Sequence, residues 1–102
     1  MRRYAARADG NQGEIITSLR AAQCNVTPTH VIGGGFPDLV VQDRVTLVVC
    51  LIEIKDPSKP KADRQLTPAQ KEFHAAWTGP IYVCETPEDA VACATKDRVK
   101  PA

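Results

Sequence analysis

The chain has no long hydrophobic run. No stretch approaches the roughly 20 apolar residues that a bilayer-crossing helix needs, and no apolar segment follows Arg2 and Arg3. Neither a membrane span nor a secretory signal is therefore expected. Internal repeats and low-complexity tracts are missing too, which excludes solenoid and fibrous architectures. No sign of charge predominates: 13 Lys and Arg against 12 Asp and Glu leave a net charge of +1, so total charge does not announce a polyanion binder. The four cysteines, Cys24, Cys50, Cys84 and Cys93, include no CxxC pair and no framework spacing. Cys50 and Cys84 lie inside apolar runs and read as small buried hydrophobes rather than as disulfide partners or as zinc ligands with His30 and His74. A reducing, cytoplasmic setting is the expectation, not a secreted one.

What is present suits one globular domain. The 102 residues are 43% hydrophobic and 25% charged, enough for one modest core. A single domain over 1–102 is expected, with 1–8 and 97–102 as flexible tails. Asp9 and Gln12 read as a capping box for a first helix whose apolar stripe is Ile15, Ile16, Leu19 and Ala22. Cys24 to Ile32 reads as extended, with Pro28 placing it at a sheet edge or interrupting it. Gly33, Gly34 and Gly35 break the pattern, and Leu39 to Gln42 and Leu47 to Lys55 read as two strands. Residues 56 to 65 read as a mobile polar loop. Thr67, Pro68 and Gln70 form an N-cap, a first-position proline and a capping box, starting a second helix with Ala69, Phe73, Ala76 and Trp77 as its buried face. Ile81 to Cys84 is a short strand, and Thr86-Pro87 opens a third helix to about Lys96. The order α-β-β-β-α-β-α implies an α/β fold, a small mixed sheet flanked by helices.

Against this background three charges are out of place. Asp38, Glu53 and Lys55 interrupt the most apolar part of the chain. Alternation puts Glu53 and Lys55 on one face of their strand. In an antiparallel hairpin Asp38 shares that face under either of two registers. A tight turn at Asp43-Arg44 would leave Asp38 and Glu53 four residues out of step, roughly 13 Å along the strands. A wider loop would set them directly opposite, and that register is the expectation. Two adjacent carboxylates repel unless a proton or cation intervenes. A hard divalent ion, Mg²⁺ or Mn²⁺, suits oxygen ligands, and a lysine beside it can hold a phosphate oxygen or orient water. The glycines before Asp38 would let a bulky substrate approach the backbone. The combination suits phosphodiester hydrolysis.

Pro37-Asp38, followed after fourteen residues by Glu53-Ile54-Lys55, resembles the signature of the PD-(D/E)XK nuclease superfamily. The context matches: a helix bearing Glu14 precedes the hairpin and one bearing Gln70 follows it, and LTPAQKEF is similar to the second-helix start of small single-domain VRR-NUC nucleases of bacteriophages and bacteria. The Val-Arg-Arg element that names that group is not visible; Tyr82-Val83 leads into Cys84-Glu85-Thr86. Archaeal Holliday-junction resolvases share the core. The resemblance implies a restriction-endonuclease-like core and a Mg²⁺- or Mn²⁺-dependent DNA endonuclease. The ion would be held by Asp38, Glu53 and the Ile54 backbone carbonyl, with Glu14 assisting through water. Lys55 would activate the water and Gln70 orient Lys55 or the phosphate. The basic residues Lys59, Lys61, Arg64 and Lys71 would meet DNA phosphates, which position DNA without reading its bases. Selectivity for branched DNA (a Holliday junction, flap or end) is therefore expected over sequence specificity, with a homodimer serving two strands, no nucleotide cofactor, and a bacterial host cell as the setting if the chain is phage-encoded. The alternative is a non-catalytic DNA-binding or assembly module that keeps the nuclease fold.

Overall fold

The computed structural model describes residues 8–99. Its elements follow the order expected, with three helices and four strands: α1 (Gln12–Ala21), β1 (Cys24–Pro28), β2 (Leu39–Asp43), β3 (Val49–Ile54), α2 (Pro68–Ala76), β4 (Ile81–Cys84) and α3 (Pro87–Ala94). The sheet runs β1-β2-β3-β4. The first three strands are antiparallel neighbours, whereas β4 lies parallel to β3. A parallel neighbour requires a crossover, and α2 supplies it.

One face of the sheet carries the core. Cys24, Val26, Leu39, Val41, Cys50, Ile52, Ile54 and Cys84 pack there beneath Ile15 and Leu19 of α1 and Ala90 and Ala94 of α3. The stripe on α1 is as its sequence implies, but the helix start is not. The Asp9–Gln12 box is not formed. The N-cap is Asn11, whose side chain caps nothing within the helix. Its carboxamide instead donates to the carbonyls of Lys55 (3.1 Å) and Glu85 (2.8 Å). The residue at the mouth of α1 thus fastens the helix to the ends of β3 and β4.

β1 is shorter than expected, ending at Pro28. Beyond it the chain turns: Thr29 donates its amide to the Asp38 carbonyl (2.7 Å) and its hydroxyl to the Pro37 carbonyl (2.7 Å). Gly33, Gly34 and Gly35 all have positive φ. Only Gly35 is bound to its identity by packing as well, since a Cβ there would overlap the backbone of Ala69 at the start of α2. Residues 56 to 65 form a largely exposed connection, as expected, with local structure of its own. Asp56 accepts from the amide and hydroxyl of Ser58 (2.9 and 2.7 Å), and Lys61–Arg64 forms a short 3₁₀ helix.

The second helix starts as its sequence states, with Thr67 capping, Pro68 at the first position and a complete capping box. Its inward face does not. No residue of α2 is fully buried. Ala69 and Ala76 are exposed, Trp77 is 43% exposed, and the half-buried positions are Gln70, Phe73 and His74. The helical period was legible, but the stripe is rotated toward two polar residues. Phe73 makes the apolar seam, edge-on to Phe36 (centroids 5.3 Å) and stacked on Trp77 (5.5 Å).

The chain end is also more ordered than a tail. Arg98 reaches the wholly buried Asp43, its Nε lying 3.0–3.1 Å from both carboxylate oxygens and its terminal nitrogen 2.8 Å from Oδ1. The same guanidinium donates to the Ala22 carbonyl, and the Val45 amide also donates to Asp43. The expectation of flexible tails otherwise falls on 1–7 and 100–102, outside the described residues. Among the described residues no helix is long and apolar enough to cross a membrane.

The Arg98 hydrogen bond holds the Asp43 carboxyl down at about 2. A depressed carboxylate stabilises the fold above its unfolded pKa, near 3.9, and that contribution is lost as pH falls toward the folded value. Asp43→Asn is expected to cost about 3 kcal/mol, read as a lower urea midpoint at pH 7, and to flatten the acid limb of stability between about pH 4 and 2. An unchanged midpoint would show that the clasp contributes little.

Candidate catalytic site

The hairpin register decides what the three anomalous charges can do. Leu39 pairs with Ile52 and Val41 with Cys50. Continued by one residue, this register sets Asp38 across from Glu53, the arrangement that needs the wider loop. That loop is closed by Asp43 N donating to the Val48 carbonyl (3.0 Å) and Leu47 N to the Asp43 carbonyl (2.7 Å). Leu47 there takes φ 67°. Since Leu39, Ile52 and Ile54 face the core, Asp38, Glu53 and Lys55 share the opposite face. Glu53 is 2% exposed and Lys55 8%.

Each charge is held by a specific partner. Asp38 Oδ2 accepts the Ile54 amide (2.7 Å), so a side chain extends the ladder just before β2 begins. Gln70 joins the other two. Its Oε1 accepts from Lys55 Nζ (2.9 Å) and its Nε2 donates to Glu53 Oε2 (3.0 Å). The same Oε1 accepts the Thr67 amide (2.9 Å), completing the helix cap. A carbonyl oxygen has two lone pairs, so capping and site duties coexist in one side chain.

The electrostatics are strained at one atom. Glu53 Oε1 is buried without a hydrogen-bond partner. Burial, then hydrogen bonding with the neighbouring Asp38 carboxyl and its charge, push the Glu53 pKa up to about 9; Lys55 opposes this and Asp9 adds to it. Two carboxylates offer each other only acceptors, so a proton or a cation must lie between them. Two converging carboxylates with an orphaned oxygen fit a hard divalent cation. Among the described residues no group of three or more His, Cys, Asp and Glu side chains is disposed to hold a metal. An ion here would take the two carboxylates and complete its shell with carbonyl and water oxygens, as Mg²⁺ commonly does.

The remaining candidates are more dispersed. Glu14 is exposed in the first turn of α1. Asp9, singled out in the sequence only as a cap, is the carboxylate preceding α1 whose charge is felt at Glu53. Its Oδ1 pairs with Lys59 Nζ at 3.3 Å. Arg64 pairs with Glu85 at 3.2 Å, while Lys61 and Lys71 are exposed. His74, considered in the sequence as a zinc ligand and set aside, is half-buried, and burial and then the charge of Lys55 bias it toward neutrality. Its signal was available: it stands one helical turn beyond Gln70. His30 is bonded to Gln12 (3.0 Å). All four cysteines are free thiols, and burial raises Cys50 to about 11, which leaves it unreactive.

No protein-family model, no curated protein and no solved structure matches the chain. The functional reading therefore rests on the residues and their geometry.

A carboxyl whose pKa is raised on folding keeps a proton that the unfolded chain releases, so stability falls as pH climbs from about 4.5 to about 9. Glu53→Gln keeps the shape of the protonated carboxyl and has no proton to release on unfolding. In EDTA at pH 8 it is expected to be more stable than the unsubstituted protein by about 2 kcal/mol, read as a higher melting temperature, and to lose the downward slope of stability with pH. A lower melting temperature for Glu53→Gln would mean that the carboxylate is satisfied in some other way.

Proposed function

We propose that this chain is a divalent-metal-dependent DNA endonuclease that hydrolyses phosphodiester bonds and selects DNA by structure rather than sequence. One observation supports it above the others: a buried glutamate with an unpartnered oxygen, beside a second carboxylate and a lysine tied to it through one glutamine. A purely structural role would gain nothing from burying two carboxyls that must share a proton to coexist, an arrangement that is costly. The finer fold assignment, a restriction-endonuclease-like core of the VRR-NUC kind, belongs to the same proposal. Its support is the element order and the placement of Asp38, Glu53 and Lys55 on one face of the hairpin.

In this reading Asp38, Glu53 and the Ile54 carbonyl hold Mg²⁺ or Mn²⁺, which when bound polarises the phosphoryl oxygen and acidifies water. The protein's own part is positional. Asp38 is fixed by the Ile54 amide and Glu53 by Gln70, so neither carboxylate needs to search for its geometry. Lys55 brings an ammonium to the side where negative charge develops as the phosphate is attacked, and burial strengthens that interaction. Gln70 fixes the direction of the ammonium. Glu14, being exposed, acts only through water. The exposed Lys61 and Lys71 meet the DNA backbone in this reading, and Lys59 and Arg64 would exchange Asp9 and Glu85 for phosphates. A symmetric homodimer would present two such sites to two strands.

The test is cleavage of supercoiled plasmid, a four-way junction, a flap and a blunt duplex in Mg²⁺ or Mn²⁺. Asp38→Ala, Glu53→Ala and Lys55→Ala are each expected to lower kcat at least ~10²-fold while circular dichroism and binding to the junction in Ca²⁺ persist. Calorimetry with Mn²⁺ should show heat that disappears in Asp38→Ala and Glu53→Ala. No cleavage of any substrate, together with no carboxylate-dependent heat, would favour the non-catalytic binding module instead. Separately, Gln70→Ala is expected to cost about 1 kcal/mol through the lost cap and to lower kcat with little change in Mn²⁺ affinity.

A further inference from the structure

Lys55 has three N–H donors and no acceptor, and Gln70 Oε1 accepts one of them. One turn further along α2, on the same face, stands His74. Its Nε2 is closed off from solvent and has no hydrogen-bond partner. Buried polar atoms left in that state are rare and call for a reason. The imidazole is biased toward neutrality by burial first and then by the charge of Lys55. A neutral imidazole carries one acceptor nitrogen, and an ammonium can use it.

We propose that His74 is a second positioning residue for Lys55: after a small rotation of the lysine stem, its ring, as the Nδ1–H tautomer, accepts from the ammonium through Nε2 while Gln70 Oε1 keeps another N–H. Gln70 and His74 then hold two of the three donors, and the third is left for a phosphate oxygen. The consequence for cleavage rests on the nuclease reading above; the pairing of the two side chains does not. The helix face that sequence alone gave to Ala69 and Ala76 is instead the one carrying Gln70 and His74, so α2 acts as a bracket around the lysine. Its apolar contacts come from Phe73, which packs between Phe36 and Trp77.

Long-range ¹H–¹⁵N spectra of the metal-free full chain at neutral pH read the tautomer directly. The expected result is an unprotonated Nε2, with a Lys55 ammonium signal that broadens by faster exchange in His74→Phe and is retained in His74→Gln. In junction cleavage with Mn²⁺, His74→Phe is expected to lower kcat by about 10–100-fold, the scale of a misplaced catalytic group. KM and the Mn²⁺ heat should be unchanged, and His74→Gln, which keeps an acceptor, should recover most of the rate. A proton on Nε2 in the unsubstituted protein overturns the proposal, as does a folded His74→Phe with unaltered kcat and lysine exchange. Should the unsubstituted protein cut no DNA, the nuclease reading fails, while the tautomer and lysine exchange still decide whether His74 holds Lys55.

Discussion

Burying a carboxylate in the middle of a small sheet imposes a constraint that the surrounding residues must answer. Glu53 belongs to β3, one of the two inner strands, and is almost entirely removed from water. Left alone, it would be neutralised or would destabilise the domain. Here Gln70 satisfies one oxygen, and the other has no donor but a proton or cation shared with the Asp38 carboxyl. The long hairpin loop, the Thr29 bonds that pin Pro37 and Asp38, and the docking of α2 on Gly35 all determine what stands next to that second oxygen. The apolar core on the other side of the sheet gives β3 the rigidity to keep it there.

The crossover helix is built unlike the other two. α1 and α3 bury aliphatic or small residues against the core, while α2 turns Gln70 and His74 inward and keeps only Phe73 as its half-buried apolar residue. Local signals still specify it strongly. Thr67, Pro68 and Gln70 satisfy the first-turn donors before any tertiary contact forms. Because the Gln70 carbonyl serves both the cap and Lys55, formation of the first helical turn and placement of the ammonium become one event.

Much of this was legible in the sequence because it depends on neighbours in the chain. Caps and a first-position proline mark two helix starts, at Thr67 and Thr86, and alternation puts Asp38, Glu53 and Lys55 on one face. The wide register followed from asking which pairing would let the two carboxylates meet. What escaped was set by partners far away in sequence. Asn11 reaches Lys55 and Glu85, 44 and 74 positions on, and thereby displaces the local cap that Asp9 and Gln12 advertise. Arg98 is drawn from a polar end to Asp43, 55 positions back. The inward face of α2 was misjudged because hydrophobicity was taken to choose it, whereas a buried ammonium and carboxylate chose two polar side chains. Asp9 and Glu14 show the same limit: a helix-borne glutamate suits the pattern, but it is the aspartate preceding the helix whose charge reaches Glu53.

The absence of any fully buried residue in α2 bears on how the molecule ages under stress. Segments that open most readily are those with the least apolar area removed from water, and this one holds Gln70. Mild heating or dilute denaturant should therefore let the crossover fray while the sheet and its two packed helices stay intact. The grip of Gln70 on Lys55 and global integrity would then part company, with a window in which spectroscopy still sees a native fold around a lysine that has lost its aim.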